Sequence, residues 1–423
     1  MDFFDVKTLD KGLEIIKNFG LKAQAGICEE RVPLFEAVGR VLAEDIVSGV
    51  DLPDFDRSAV DGYGVHSADV VGASEAIPSL LTPAGEMTMG GTGQLRLERG
   101  EAVYIPTGGP LPEGADGVVM IEYCEKIDDT TLLVKRPIYP GEDVSYKGDD
   151  VARGERVMTA GRRLSPYDIG LLAGIGISEV AVMRKLRVGV ISTGDELIAA
   201  SEPYALGKIR DINGNALGAA LREYGVEVTG HHLVKDDFEA LQAVFGKCLE
   251  DSDCVLFSGG SSVGLRDFTQ EVIRSFDDSE ILVHGLAVKP GKPTIVGRVA
   301  DKLVFGLPGH PSAALLLYNL VVVPYLDTLN HTTLEPIRVA ARLMNRVHGA
   351  PGRDAFVMVT LSAPDEEGYL QAAPIHSKSG MITLLSRASG FIRISRDVEG
   401  YKEGQVVLVT LLRNTLHPGD DLK

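Results

Sequence analysis

Cysteine is scarce: the 423-residue chain has four, Cys28, Cys124, Cys248 and Cys254, with no CxxC pair among them. That spacing indicates neither a zinc site nor a disulfide framework, and it fits a reducing cytosol. The histidines form no spaced cluster, which argues against a histidine-ligated metal. Positive charge is in deficit too. Asp and Glu number 60 against 42 Lys and Arg, a formal charge of −18. This argues against nucleic acid or an anionic membrane as a main partner. No apolar run reaches membrane length: the longest, 313–323, contains Tyr318 and Asn319 and reads as a core helix. The N-terminus lacks a basic region followed by a long apolar run, so no signal peptide is expected. An acidic protein that binds an anion must do so through local Lys or Arg, helix N-termini or a bridging Mg²⁺.

Apolar residues make up 44% of the chain, enough for real cores, and the length predicts three or four domains. Val6, Leu9, Leu13 and Ile16 recur at spacings of three and four, which predicts a helix, with a second short one over Glu36–Ala43. Four acids and one Arg sit among Pro, Ser and Gly in 51–65, which reads as a loop, and Asp61 stands where a strand begins. Alternating runs over 80–150 predict a small β domain. Ser165-Pro166-Tyr167-Asp168 is a helix start, with Ser as cap and Pro at the first position. The expected division is a discontinuous linking domain, 1–48 plus 153–185, with a β domain inserted at 49–152. An α/β domain follows at 186–330 and a β barrel at 335–423.

Within 186–330 the pattern is doubly wound α/β. Cys254–Phe257 has the composition of a buried strand. Paired glycines and serines follow, and Asp267 with Gln270 reads as an N-cap and capping-box start. Strand, small-residue loop and helix N-terminus in that order can bind an anion, although a plain strand-to-helix connection explains the stretch equally well. It matches neither a P-loop nor a dinucleotide-binding fingerprint. Two further loops, Ser192–Glu196 and Gly306–His310, belong at the same edge of a parallel sheet, where ligands bind. Lys289-Pro290-Gly291-Lys292-Pro293 adds cationic charge on a turn.

Together these loops resemble the molybdopterin molybdenumtransferase (MoeA) family, whose fold also forms the C-terminal domain of gephyrin. The resemblance spans essentially the whole chain. Its motifs stand here as Asp54 to Tyr63, Ile105-Pro106-Thr107-Gly108, Ser192-Thr193-Gly194-Asp195-Glu196-Leu197, and Ser258-Gly259-Gly260 with Ser262-Val263-Gly264 and Asp267. Lys289 to Pro293 and Gly306-Leu307-Pro308-Gly309 complete the set. One departure is His310, where the family usually has Asn. The resemblance implies an enzyme that inserts molybdate into adenylylated molybdopterin: the oxyanion attacks the activated phosphoanhydride, AMP leaves, and the dithiolene sulfurs capture the metal. Such chemistry needs positioning and charge neutralisation more than a nucleophilic side chain.

By that resemblance Asp61, Asp195, Glu196 and Asp267 form the acidic set near Mg²⁺ and the phosphates, with Asp61, Glu196 and Asp267 as catalytic candidates. Thr107, Ser192, Thr193, Gly194, Ser258, Gly259, Gly260, Ser262, Pro308, Gly309 and His310 would bind the pterin and phosphates. Lys289 and Lys292 would bind the oxyanion, with molybdate favoured. Asp150 and Asp211 are weaker candidates, Asp211 being equally readable as a helix cap. Ser377, Ser379 and Gly380 resemble a family loop near the site. The resemblance further implies a cytoplasmic homodimer with a site shared between subunits, and contact with other proteins of molybdenum cofactor biosynthesis. Competing readings are the adenylyltransferase step, a clustering role like gephyrin's, and selectivity for tungstate.

Overall fold

The computed structural model describes residues 6–90, 95–259, 265–332, 335–375 and 383–412, with the backbone alone at 25, 265–267, 384 and 385. Two compact units emerge: 31–38 with 44–180, and 1–30 with 39–43 and 181–423.

The larger unit is built on a six-stranded sheet. Its strand order is Glu227–Val234, Arg187–Thr193, Cys254–Gly259, Lys302–Leu307, Ile295–Val299, Ser279–His284. The first four strands run parallel; Ile295–Val299 runs antiparallel to Lys302–Leu307, and Ser279–His284 antiparallel to Ile295–Val299. Period-two alternation sends Val188, Val190, Leu256 and Phe305 to one face, against Leu217, Leu221, Leu317 and Tyr325. Ile191, Val255, Phe257 and Val304 go to the other, against Leu241, Phe245, Val272 and Ile273. A parallel sheet covered on both faces needs such continuous apolar strands, and each buried side chain of this size contributes roughly 1.5–3 kcal/mol.

Helix boundaries follow local chemistry. Asp237 caps Phe238–Asp251 through Ala240 N–H, and Gly225, at φ +100°, ends Asn213–Tyr224. The helix after Cys254–Gly259 spans Leu265–Arg274. Asp267 therefore lies inside it and is not its N-cap, a correction to the capping-box reading.

Helix Pro311–Leu329 has 19 residues, longer than the 313–323 run, and is long and apolar enough to cross a bilayer; most of it is buried in this unit. Its middle widens into a π turn, Tyr318–Val322, just before Pro324. A wide turn there relieves the clash between the proline ring and the preceding turn. The N-terminal helix Leu9–Ala23, capped by Thr8, packs on this helix, with Gly20 against Tyr325 and Thr328.

The C-terminal part is a closed five-stranded barrel. Asp354–Pro364, Leu370–Pro374, Arg338–Leu343, Val406–Leu411 and Gly390–Ile394 pair in sequence, and the last returns to the first. Its core includes Leu343, Val359, Ile392 and Val409. Val288–Lys289 pairs with its first strand.

The smaller unit holds another six-stranded sheet, ordered Gly117–Met120, Gly62–Val65, Glu101–Ile105, Ser79–Glu86, Leu132–Val134, Cys124–Lys126. Its helix Pro166–Gly174 starts as expected, with Ser165 as N-cap and Pro166 at the first position, and Asp168 closes a capping box with Ser165. The short helix expected over Glu36–Ala43 does not form. One 3₁₀ turn, Leu34–Glu36, is followed by Gly39 at φ +76° and an extended bridge from Leu42 to Val182. A left-handed glycine in the middle of the stretch stops a helix from propagating.

Candidate active site

Ser192, Ser258 and Leu307 are register partners near the C-terminal ends of three adjacent parallel strands. The loops that follow leave the sheet on one edge, where ligands of open parallel sheets bind. A cavity of about 290 Å³ opens there, lined among others by Ser258, Gly259, Gly309, His310, Arg210 and Asn213.

Asn213 ties the walls together. Its Nδ2 donates to Ser258 Oγ and to the Gly309 carbonyl, both at 2.8 Å. Its Oδ1 is buried with no partner among the described residues, a state that costs roughly 1–3 kcal/mol. Asp211 holds the helix start that carries Asn213. Its Oδ1 accepts from Gly214 N–H at 2.9 Å, and Oδ2 meets His231 Nε2 at 2.7 Å. Burial pushes the Asp211 carboxyl up, but hydrogen bonding to His231, Gly214 N–H and Ser192 outweighs that and holds it below the usual carboxylate range. The contribution from Ser192 falls short of a well-formed hydrogen bond.

In the loop after Arg187–Thr193, Thr193 Oγ1 donates to Asp236 Oδ1 at 2.7 Å, and Asp236 N–H donates to Asp195 Oδ1 at 3.3 Å. Gly194 lies under Glu196: a Cβ there would come within 2.8 Å of Glu196 Oε2. Asp195, Glu196 and Asp236 thus share one edge. The lysine turn is shaped by Gly291, at φ +111°, where a Cβ would fall 2.2 Å from Leu317 Cδ2. Lys289 and Lys292 are both exposed, and neither lines the cavity.

In the smaller unit, Asp61 and Thr107 meet across 46 residues. Asp61 Oδ1 accepts from Thr107 N–H at 2.7 Å and from Thr107 Oγ1 at 3.0 Å. The backbone N–H, then the hydroxyl, hold this exposed carboxyl below its ordinary value. Gly62 is required beside it: a Cβ would meet the Val119 carbonyl at 2.2 Å. The neighbouring acids serve the backbone. Asp51 accepts from Arg153 N–H, Asp56 from Lys147 N–H and Asp149 from Tyr146 N–H.

Three family models match in chain order: "MoeA N-terminal region (domain I and II)" over 8–176, "Probable molybdopterin binding domain" over 189–328, and "MoeA C-terminal region (domain IV)" over 340–412. A molybdopterin molybdenumtransferase of Bacillus subtilis is 33% identical over 391 residues, covering 91% of this chain and 90% of its own. Two structures of MoeA proteins from Pyrococcus horikoshii align with 38% identity at TM-score 0.77 and 31% at 0.81. They cover 97% and 96% of this chain, and all of their own. The chain belongs to the MoeA family. With the family comes its class, the transferases of molybdenum cofactor biosynthesis.

Of the MoeA motif residues, Leu197, Ser258, Gly259 and Gly309 meet in the cavity wall beside the departing His310, with Ser192 and Thr193 buried. Asp61 and Thr107 meet each other. Gly260 and Ser262 lie outside the described residues, as do the side chain of Asp267 and the loop with Ser377, Ser379 and Gly380. Among the described residues no three His, Cys, Asp or Glu side chains gather to hold a metal. Sequence reasoning missed Asn213 and the link from Asp236 to Thr193. The one available signal was the cluster of polar and small residues, Asp211, Asn213, Gly214 and Asn215, at the start of a helix. Burial pushes the Cys248 thiol up to about 11 and Cys124 up to about 12, so neither offers a thiolate near neutral pH.

Proposed function

We propose that this MoeA-family chain is a molybdopterin molybdenumtransferase that inserts molybdate into adenylylated molybdopterin and releases AMP in a magnesium-dependent step. The observation that carries the reading is the cavity at the sheet edge with the unmet buried acceptor Asn213 Oδ1 in its wall. A pterin ring brings N–H donors along one edge and an ionised phosphate brings none, so the ring is the part of the substrate that suits this wall. Ser258, Gly259, Gly309 and His310 would border it, with Gly260, Ser262 and Pro308 on the same loops and Ser192, Thr193 and Gly194 behind. Lys289 and Lys292 would face molybdate.

Asp195 and Glu196 offer carboxylate oxygens at that edge, and Asp61 and Asp267 complete the proposed acidic set. Magnesium is commonly bound by one or two carboxylates plus substrate phosphates, so this donor chemistry fits without an all-protein cluster. When bound, it would neutralise phosphate charge. Asp61, Glu196 and Asp267 would orient the reacting oxygens. The reading extends to a cytoplasmic homodimer in which Asp61 and Thr107 of one chain complete the site on the other.

The test is AMP release from adenylylated molybdopterin by the purified chain, with molybdate, tungstate or neither, and with or without Mg²⁺. Release that requires an oxyanion and Mg²⁺ is expected. Release needing neither oxyanion, or no release at all, overturns the reading. Mixing impaired Asp61→Asn and Asn213→Ala chains tests the shared site: mixed dimers recover activity above that of either variant if the site is shared and do not if it is not.

A further inference from the structure

We propose that His231 is a positioning residue that sets the geometry of this site from outside it; the activity assay below rests on the molybdenumtransferase reading. His231 lies on the edge strand Glu227–Val234 and does not line the cavity. The pairing with Arg187–Thr193 slips by one residue between Val188 and Gly189, so Val190 stands opposite His231, where an unbroken register would bring Gly230. Register partners share a face of the sheet, and a slip of one residue exchanges the faces. The slip therefore turns the imidazole to the side of Val190, the side covered by Leu217 and Leu221 of helix Asn213–Tyr224.

There Nε2 meets Asp211 Oδ2 at 2.7 Å; the carboxylate side chain is 3% exposed and the ring 31%. Capping a helix needs only one carboxylate oxygen, and Asp211 Oδ1 does that work at Gly214 N–H. The second oxygen is buried and charged, and His231 supplies its hydrogen bond. The space is filled to the limit: a Cβ on Gly214 would lie 2.0 Å from His231 Nε2, 2.5 Å from Asp211 Oδ2 and 2.5 Å from Ser192 Oγ. One residue before Gly214 is Asn213, whose amide bridges Ser258 and Gly309 across the cavity. Removing the ring leaves a buried oxygen unpaired, so Asp211 must reorient and the Asn213 bridge shifts with it. Displacements of this kind are felt at a preorganised site.

The experiment uses full-length wild type, His231→Ala, His231→Gln and Gly214→Ala, with AMP release and thermal stability measured in parallel at a temperature where each chain is folded. His231→Ala is expected to raise KM for adenylylated molybdopterin about tenfold, the loss of one hydrogen bond to a charged group, with little change in kcat. His231→Gln, which can still donate, is expected to recover most of that loss, and Gly214→Ala to resemble His231→Ala. A purely structural His231 would lower Tm and leave KM alone, and that result overturns the proposal. So does a His231→Gln variant no better than His231→Ala. If wild type releases no AMP, the functional reading has failed on its own account. Calorimetric binding of molybdopterin then decides the role of His231, with the same tenfold weakening expected.

Discussion

Asp168 in the smaller unit and Asp211 in the larger are nearly the same physical object. Both are buried, 5% and 4% exposed, and both bind backbone N–H groups at a helix start. Burial pushes each carboxyl up, and hydrogen bonds more than reverse it. They differ in company. Asp168 sits in a local capping box with Ser165 and meets the Arg162 guanidinium at 2.6 Å, a cation that cannot lose its proton. Asp211 meets a histidine, and the residue two places on reaches into a cavity where three parallel strands end. A buried carboxylate cap is thus a stability device wherever it occurs. What brings one of them to a candidate site is the address of its helix.

The comparison breaks most visibly at Asn213. Asn213→Ala removes two hydrogen bonds that tie Ser258 to Gly309, and is expected to lower kcat/KM about a hundredfold, roughly the loss of two to three kcal/mol of binding and positioning. Unfolding measured beside the assay should change much less. If stability falls and kcat/KM of the folded enzyme does not, Asn213 belongs with Asp168 as a fold residue. Asp168→Ala is the mirror experiment. Loss of the capping box and the Arg162 pair should cost about 2 kcal/mol in denaturant unfolding, with kcat/KM of the folded fraction unchanged.

Acid sharpens the pair further. Both carboxyls sit below the ordinary aspartate range when folded. A depressed folded value means the folded state binds the proton less readily than the unfolded chain. The stabilisation is therefore complete above the unfolded value and is lost as pH falls below about 4 through the folded one. In Asp168→Asn the fall in stability between pH 5 and pH 2 should be shallower than in wild type, read by urea midpoints at each pH. An unchanged slope would mean that Asp168 does not titrate as a buried pair.

How much of this could be read from the chain depends on the range of the interactions. The helix start at Ser165-Pro166 is local and legible, as is the buried strand at Cys254–Phe257. That the loops after Thr193, Ser258 and Leu307 share one sheet edge followed from the doubly wound pattern. The second helix over Glu36–Ala43 failed because Gly39 takes a left-handed conformation that a hydrophobic pattern does not report. Asn213 was invisible for another reason: its partners lie 45 and 96 residues away. Likewise nothing local tells Asp236 from Asp237 ahead of the helix they precede, yet Asp236 binds Thr193, 43 residues back, while Asp237 does the capping.

The smallest effect belongs to the exposed counterpart of these buried carboxylates. Asp61 Oδ1 takes two hydrogen bonds from Thr107, and the backbone N–H, not the hydroxyl, is the larger cause of its lowered pKa. Thr107→Val keeps the N–H and removes the hydroxyl. The Asp61 carboxyl should then move part of the way back toward 3.8, observable by carbon NMR titration, while remaining ionised at pH 7. Turnover at neutral pH should change by about twofold or less, because an exposed hydrogen bond competes with water. A tenfold loss with Asp61 still ionised would show that the Thr107 hydroxyl itself touches substrate. Thr107 would then stand with Asn213 as a binding group, and an exposed residue would join a buried one in the same site.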